Sequence, residues 1–323
     1  MRALICESFD GLDALQVGEL PEPTAGPGSV LIRVEAAGVN FADLLMVSGL
    51  YQLKPDLPFA PGFEVAGTVL DSPGDSSYSP GDRICGFLPY GGMAEKAVVL
   101  ATNSAPLPEV VSFEAGAVVP GTYGTSYHAL VDRARLQPGE TVLVLGSAGG
   151  VGLTAVQVAK VLGGKVLAAV SSEEKARVVQ EAGADTVIRY DQVPLREAIA
   201  DATGGQGVDV VYDPVGGEVT EQALRSVRWG GRLLIIGFAA GDIPHIPLNL
   251  PLLKGNSLVG VFWGRFTTEE PERSAANMRT IVQWLEQGKL TPVIKGSFSL
   301  DEAKEAFRRL AERRAMGRLV VKP

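Results

Sequence analysis

The stretch Thr141-Val-Leu-Val-Leu-Gly-Ser-Ala-Gly-Gly-Val-Gly152 passes from a short apolar run into a cluster of glycines, and a periodic apolar run follows to Leu162. This pattern predicts a strand, a tight turn and the start of a helix. Glycines let a pyrophosphate approach the backbone closely, and the N–H groups and positive dipole end of the helix then bind its charge. The stretch therefore predicts a dinucleotide site, although Ser147 stands where the pattern G-x-G-x-x-G has its first glycine.

Strand candidates alternate with helical patterns from Thr141 to about Val261. Such alternation predicts an α/β fold with a parallel, doubly wound sheet. The six strand candidates are residues 141–146, 165–170, 186–190, 209–213, 232–237 and 257–261.

The residues before about 115 follow a different pattern, with short β-type runs broken by Pro and Gly. This pattern predicts a compact and mostly antiparallel β domain. Near the carboxy terminus, the sequence predicts an amphipathic helix around Glu302–Arg313 and a strand at Gly317-Arg-Leu-Val-Val321. We expect this tail to fold back onto the first domain.

The composition limits the class of protein. A chain of 323 residues with 46% hydrophobic residues predicts an ordered globular protein of two domains. The net charge of -8 argues against a nucleic-acid partner and against an anionic membrane surface, since both require clustered Lys and Arg. No apolar run has the roughly 18 residues of a membrane helix, and we expect a cytoplasmic protein. Cys6 and Cys85 are too few for a disulfide framework or a four-cysteine zinc lobe.

The end of the second strand of the sheet predicts which dinucleotide binds. In the classical fold an acidic residue there bonds the ribose 2′-OH of NAD. Here that position falls near Ser171, and Lys175 lies one turn further on, with Tyr190 after the next strand. A serine and a lysine favour a 2′-phosphate, and hence NADPH over NADH. The alternative is that Ser171 and Ser172 cap the helix that begins at Glu173, and that Lys175 is a solvated charge.

Two later strand candidates also end in glycine-containing turns. Ligands of such sheets bind outside the carboxyl ends of the strands, so the residues after these strands should approach the cofactor. The alternative is that the glycines simply terminate the strands. The residues concerned are Val215, Gly216, Gly237 and Phe238.

A set of motifs spread over nearly the whole chain resembles the zinc-independent quinone oxidoreductases of the medium-chain dehydrogenase/reductase superfamily. This resemblance implies a GroES-like, mostly-β catalytic domain, residues 1–118 completed by 265–323, and a Rossmann domain with a six-stranded sheet, residues 119–264. It also implies NADPH as cofactor and a homodimer or homotetramer. The motifs are Asn40-Phe-Ala-Asp43, Gly49-Leu-Tyr51, Pro61-Gly-Phe-Glu64, Val65-Ala-Gly-Thr-Val69, Gly81-Asp-Arg83, Ser147-Ala-Gly-Gly-Val-Gly152 with Gln157, and Asp213-Pro-Val-Gly-Gly217.

The zinc-dependent branch of this superfamily needs about three protein ligands for a catalytic zinc. In this chain Asn40 stands where the first cysteine ligand would be, and Phe63 replaces the histidine of a Gly-His-Glu motif. The segment Pro120-Gly-Thr-Tyr-Gly124 offers no third cysteine. The two histidines, His128 and His245, are expected to be packed or surface residues. We therefore predict a metal-free enzyme.

An enzyme without zinc lacks a Lewis acid, which favours acceptors already activated by conjugation, such as quinones and α,β-unsaturated carbonyls. The resemblance places Asn40 and Tyr51 around the substrate. The Asn40 amide would bond an acceptor oxygen, and the Tyr51 hydroxyl would orient it or deliver a proton. The alternatives are that Asn40 caps a helix over Phe41–Met46 and that Tyr51 is a half-buried rim aromatic.

Further cofactor contacts follow from the resemblance alone. Thr125 matches a threonine near the nicotinamide ring, the Trp263 backbone matches a segment facing the carboxamide, and Arg318 would reach the cofactor. The alternatives are a helix N-cap for Thr125, a hydrophobic interface contact for Trp263 beside an edge strand at Ser257–Val261, and a solvated charge for Arg318. The resemblance assigns the cofactor also to Phe41, Gly149, Gly150, Val151 and Phe262.

The sequence thus predicts an NADPH-dependent quinone reductase. Reduction of an enone or enoyl thioester would use the same residues and stays open as an alternative. A function of another class, in which a crystallin-like or sensor protein binds the nucleotide without turnover, also stays open.

Overall fold

The computed structural model describes residues 1–74, 77–312 and 314–323, which form two compact units. The first unit comprises Met1–Gly124 and Gly264–Pro323, and the second comprises Thr125–Trp263.

Strands occur throughout the chain. In chain order they are β1 (Arg2–Cys6), β2 (Leu15–Glu19), β3 (Ser29–Val39), β4 (Glu64–Asp71), β5 (Arg83–Phe87), β6 (Lys96–Leu100), β7 (Ser104–Pro106), β8 (Thr141–Val144), β9 (Lys165–Val170), β10 (Thr186–Arg189), β11 (Val208–Asp213), β12 (Val227–Ile235), β13 (Ser257–Gly260), β14 (Ile294–Ser299) and β15 (Arg318–Lys322).

The helices lie between these strands. They are α1 (Phe41–Val47), α2 (Phe113–Gly116), α3 (Gly124–Tyr127), α4 (Gly150–Val161), α5 (Glu173–Glu181), α6 (Leu195–Thr203), α7 (Glu218–Arg225), α8 (Asn249–Lys254), α9 (Trp263–Glu269), α10 (Pro271–Glu286) and α11 (Ala303–Ala311). Two π-helical turns, Val119–Tyr123 and His128–Arg133, flank α3.

The first unit is built on a sheet in the order β14-β15-β3-β4-β5-β7, with β6 also paired to β3. Its pairs are antiparallel except β14 with β15, so the predicted mostly antiparallel β domain is confirmed. The long central strand β3 is buried at most residues because β4, β6 and β15 pair with it.

The carboxy-terminal tail lies in this unit. Its last strand, β15, pairs with β3, and Val320 lies opposite Gly38. The preceding helix α11 ends at Ala311, and it packs through Ala306 and Phe307, which are fully buried. Arg313, the predicted end of this helix, lies outside the described residues.

The second unit is built on a parallel sheet in the order β10-β9-β8-β11-β12-β13, which confirms the predicted six-stranded, doubly wound sheet. The strand order reverses between β8 and β11, and ligands of such sheets bind at the carboxyl ends of the strands at that point. Strand β12 begins at Val227, five residues before the predicted start. Val227 pairs with Val208 before a register shift that separates Val208 from Val210.

Within the described part of the chain, none of the helices combines the length and the apolar character that crossing a bilayer would require.

Candidate functional site

The glycine turn of the second unit has a backbone that only glycine fits. Strand β8 ends at Val144, Gly146 has a φ of 55°, and α4 starts at Gly150 with Gly149 as its N-cap. A Cβ atom on Gly152 would lie 2.3 Å from the Gly146 carbonyl oxygen. The turn therefore presents the N-terminus of a twelve-residue helix, the feature that binds phosphate groups.

Ser147, the residue that breaks the glycine pattern, has a structural role in this turn. It is fully buried, and its hydroxyl donates to the Ala169 carbonyl oxygen at 2.9 Å. Ala169 lies in β9, so the hydroxyl ties the turn to the neighbouring strand. The serine thus adds a bond and leaves the backbone of the turn in place.

The residues after β9 have two interpretations, either as a 2′-phosphate site or as a helix cap with a solvated lysine, and the structure shows features of both. Ser172 is the N-cap of α5, and its hydroxyl accepts from the Lys175 backbone N–H at 3.3 Å, as the capping alternative predicts. The Lys175 ammonium donates to the Ser171 hydroxyl at 3.2 Å, so Lys175 is bonded rather than only solvated. Ser171, Lys175 and the start of α5 therefore form one polar corner, and Tyr190 follows the adjacent strand.

The turns after β11 and β12 lie against each other. The buried Asp213 carboxylate accepts from the backbone N–H groups of Val215 at 2.8 Å and Gly216 at 3.0 Å. Gly216 has a φ of 72°, and a Cβ atom there would lie 2.9 Å from Phe238. The Gly237 N–H donates to the Asp213 carbonyl oxygen. The structure thus brings together the four residues that the sequence predicts at this edge.

Thr125 lies inside α3 and is partly buried, so it is not an N-cap. Its neighbour Ser126 lies 2.7 Å from the Thr154 hydroxyl and 3.0 Å from the Tyr212 hydroxyl, and it donates to the Val151 carbonyl oxygen. These bonds join the segment that carries Thr125 to α4 and β11.

The remaining predicted cofactor contacts differ in exposure. Phe262, directly after β13, is 55% exposed, whereas Trp263 is buried. Phe41, at the start of α1 in the first unit, is partly exposed.

The first unit contains a buried polar cluster whose members come from distant parts of the chain. Glu64 begins β4, Asn40 precedes α1, and Arg318 begins β15. The register of the sheet brings them together, because Gly38 pairs with Glu64 and Val39 pairs with Leu319. A Cβ atom on Gly38 would lie 2.6 Å from Glu64 Oε1, so the glycine makes room for the carboxylate.

Three hydrogen bonds hold the Glu64 carboxylate. Glu64 Oε1 accepts from Asn40 Nδ2 at 2.9 Å and from Arg318 Nη2, and Oε2 accepts from the Gly121 N–H at 2.7 Å. Arg318 Nη2 also donates to Asn40 Oδ1 at 3.0 Å. Arg318 is 5% exposed, so the alternative of a solvated charge is wrong. Its buried Nε atom has no hydrogen-bond partner among the residues that the structure describes.

Asp43 adds a second buried carboxyl group to the cluster. Its Oδ2 atom accepts from the Asn40 N–H at 2.8 Å, and Oδ1 accepts from the Gly62 N–H at 2.9 Å. Burial raises the pKa of Asp43 to about 7, and repulsion by Glu64 adds to this, against the two N–H bonds and the Arg318 charge. Asp43 therefore titrates near neutral pH.

Phe63 and Tyr51 form an aromatic wall beside the cluster. The Tyr51 ring meets Phe63 edge-on at 5.3 Å between centroids, and Phe63 stacks on Phe87 at 6.2 Å. Burial raises the pKa of the Tyr51 hydroxyl, and the charge of Asp43 contributes to the rise. Tyr51 is therefore held in its protonated, hydrogen-donating form.

These residues do not fit a catalytic zinc ion. Phe63 has no donor atom, both ends of the Asn40 amide are bonded, and the Glu64 carboxylate is already paired with Arg318. Across residues 1–74, 77–312 and 314–323, no three His, Cys, Asp or Glu side chains are grouped as metal ligands would be. Of the histidines, His128 is buried against Asp132 at 2.8 Å and His245 is exposed.

Sequence reasoning assigned no role to Glu64 or Asp43, although both lie in the quoted motifs. The bond of Glu64 to Arg318 could not be seen, because 254 positions separate them, whereas Asp43 bonds the N-cap residue Asn40 of α1 from three positions away, in a capping box. The signal that could have found them is the presence of two acidic residues within otherwise apolar, buried segments.

We expect Arg318→Leu to lower the free energy of unfolding by about 3–5 kcal/mol, because it leaves the Glu64 carboxylate buried without a cation. Urea denaturation followed by circular dichroism measures the change. The double variant Glu64→Gln with Arg318→Leu should lose less than Arg318→Leu alone. As a control, Arg308→Leu removes an exposed ion pair with Glu305 and should cost less than about 1 kcal/mol. Equal losses for Arg318→Leu and Arg308→Leu would contradict the buried ion pair.

The titration of Asp43 should make stability depend on pH. Its pKa is raised in the folded state, so its stabilising contribution is complete below about pH 4 and is lost as pH rises through about 7. The loss in the free energy of unfolding amounts to about 4 kcal/mol between a pH below 4 and a pH well above 7, and Asp43→Asn should remove it. Urea denaturation at several pH values between 4 and 8 gives the slope of the free energy of unfolding against pH for each protein. The exposed Asp56→Asn variant is the control, and parallel curves for the wild type and Asp43→Asn would refute the assignment.

Comparisons with known proteins identify the family. Residues 26–109 match the alcohol dehydrogenase GroES-like domain, and residues 150–283 match the family described as zinc-binding dehydrogenase. The chain is 39% identical to quinone oxidoreductase-like protein 2 of Mus musculus over 99% of this chain and 91% of that protein.

Solved structures agree with this relationship. The mycobacterial protein Rv1454c complexed with NADPH is 32% identical, with a TM-score of 0.93 and coverage of 100% of both chains. The Escherichia coli quinone oxidoreductase complexed with NADPH is 27% identical, with a TM-score of 0.92 and the same coverage. The chain therefore belongs to the quinone oxidoreductase family of the medium-chain dehydrogenase/reductase superfamily.

Proposed function

We propose that this protein is an NADPH-dependent quinone oxidoreductase that transfers a hydride from nicotinamide C4 to a quinone without a metal. The observation that carries the proposal is the buried cluster of Arg318, Glu64 and Asn40, in which Asn40 occupies the position that the resemblance gives to the first zinc ligand of zinc-dependent members. Residues that offer no Lewis acid suit an acceptor that conjugation has already activated. The two solved structures with bound NADPH support the cofactor, and the Escherichia coli quinone oxidoreductase supports the acceptor.

The cofactor, when bound, supplies the hydride. The N-terminus of α4 at Gly149, Gly150 and Val151 binds its pyrophosphate, and the polar corner of Ser171 and Lys175 binds its 2′-phosphate. The sequence predicts further cofactor contacts in each of the two units. They are Phe41, Thr125, Ser172, Tyr190, Val215, Gly216, Gly237, Phe238, Phe262, Trp263 and Arg318.

Asn40 holds the acceptor oxygen. Arg318 and Glu64 fix the amide at both ends, which sets its orientation before substrate arrives. One of the two N–H bonds of Nδ2 goes to Glu64, and the second is available to the acceptor. A group fixed in this way loses little conformational freedom when it binds.

Tyr51 supplies the proton. Reduction of a quinone by a hydride leaves an oxyanion, and a hydroquinone forms when that oxygen takes a proton. The Tyr51 hydroxyl remains protonated because burial and Asp43 raise its pKa. Asp43, with a pKa of about 7, provides a second proton source in the same unit.

We also propose a homodimer that forms through β13, the edge strand of the second unit. Leu258 in this strand is partly exposed, and Leu252 and Leu253 in α8 are strongly exposed. An apolar surface beside a strand edge favours pairing with an identical edge. Sedimentation analysis of the purified protein measures the oligomeric state directly.

A screen of NADPH oxidation tests the proposed acceptor. We expect benzoquinones and naphthoquinones to give kcat/KM values at least about tenfold above those of alkenals and enoyl-CoAs. Rates without acceptor are the baseline. Higher values for alkenals or enoyl-CoAs would identify an enone or enoyl-thioester reductase instead. Tight NADPH binding with no turnover of any acceptor would indicate the nucleotide-binding sensor.

We expect Tyr51→Phe to lower kcat about 100-fold at neutral pH, because it removes the proton donor and keeps the ring that packs on Phe63. Steady-state kinetics with the best quinone measure the effect, and NADPH affinity should be unchanged. Tyr90→Phe is the matched control, because Tyr90 is exposed and packs on Phe59. If both variants kept the wild-type kcat, Tyr51 would have no role in proton transfer.

A further inference from the structure

Arg189 lies beside the polar corner of Ser171 and Lys175. It is the last residue of β10, and its backbone pairs with Val170, the last residue of β9. Ser171 follows Val170 directly in the chain. The side chain of Arg189 is 18% exposed, so it packs against the protein rather than extending into solvent.

The Arg189 guanidinium is held on both of its donating edges. Its Nε and Nη2 atoms donate to the two oxygens of Asp191 at 2.8 and 2.7 Å, which is the bidentate geometry of a strong charge-assisted pair. Its third nitrogen, Nη1, donates to Glu173 Oε2 at 2.6 Å. Asp191 thus fixes the group, and the fixed group holds Glu173.

Glu173 is the residue at this corner that would oppose a phosphate. It is the first residue of α5, two positions before Lys175, where the helix dipole favours a carboxylate. A free carboxylate there would repel a 2′-phosphate bound by Ser171 and Lys175.

The charges around the corner cancel only when Arg189 is included. Two carboxylates lie in the first turn of α5 and one lies after β10, and three cations accompany these three groups. They are Glu173, Glu174 and Asp191, with Lys175, Arg177 and Arg189.

We propose that Arg189 determines specificity for the phosphorylated cofactor by holding the Glu173 carboxylate in an ion pair, which lowers the negative charge that a 2′-phosphate would meet. This inference rests on the proposed use of NADPH. Arg189 is a positioning residue in this account, because it acts through Glu173, while Ser171 and Lys175 receive the phosphate.

The test is a titration of NADPH and NADH into the wild type, Arg189→Met, Glu173→Gln and the double variant. Nicotinamide fluorescence gives a dissociation constant for each pair, with no need for turnover. We expect Arg189→Met to lower the preference for NADPH about fivefold, the upper range for a single exposed ion pair. Glu173→Gln in the Arg189→Met background should restore most of the preference, because the repelling charge is then gone.

Arg177→Met is the matched control. It removes the same charge from α5, the helix that carries Glu173, but Arg177 is 74% exposed and its Nε lies 3.9 Å from Glu173 Oε1. We expect it to change the preference by less than about twofold. Circular dichroism verifies that each variant is folded.

Three results would overturn the inference. Arg189→Met could leave the preference unchanged, or Arg177→Met could lower it as much as Arg189→Met does. A loss that persists in the double variant would mean that Arg189 binds the phosphate directly and does not act through Glu173. A wild type that binds neither nucleotide would instead contradict the proposed function, so the two failures are distinguishable.

Discussion

An ionised carboxylate in a protein interior needs compensation for its lost hydration, and Glu64 receives it from the cation of Arg318 near the other end of the chain. The pair can form only because β15 and β4 both pair with β3, so the sheet of the first unit and the charge pair depend on each other. Asn40 gains a fixed orientation from the same pair, since its amide bonds both partners. The buried ion pair of this unit thus fixes the orientation of the Asn40 amide, the group proposed above to bind the acceptor oxygen.

The cluster also limits the chemistry. Burial is the main cause of the raised pKa of Asp43, and repulsion by Glu64 adds to it, whereas the Arg318 charge lowers it. A proton can therefore reside near Tyr51 at neutral pH. Such a site is able to donate protons and hydrogen bonds, which agrees with the acceptor proposed above.

The sequence predicted the fold best in those parts of the chain where a local residue pattern determines the secondary structure. The parallel sheet and the glycine turn follow from periodicity and from backbone space, and both are confirmed. Ser172 shows the limit, because a serine before a helix suits both a cap and a phosphate site, and its hydroxyl does cap α5. The Glu64–Arg318 pair and the Arg189–Glu173 pair were not predicted, because each depends on strand register. Register brings together residues that no sequence spacing relates.

The position of Arg318 bears on how the two branches of this superfamily could be interconverted. Restoring a cysteine at position 40 and a histidine at position 63 would supply zinc ligands, but the zinc would arrive beside a guanidinium that already neutralises Glu64. Two cations would then compete for one carboxylate. The two ligands alone would therefore place a metal charge beside the Arg318 charge, and the repulsion between these two cations would oppose metal binding in this scaffold.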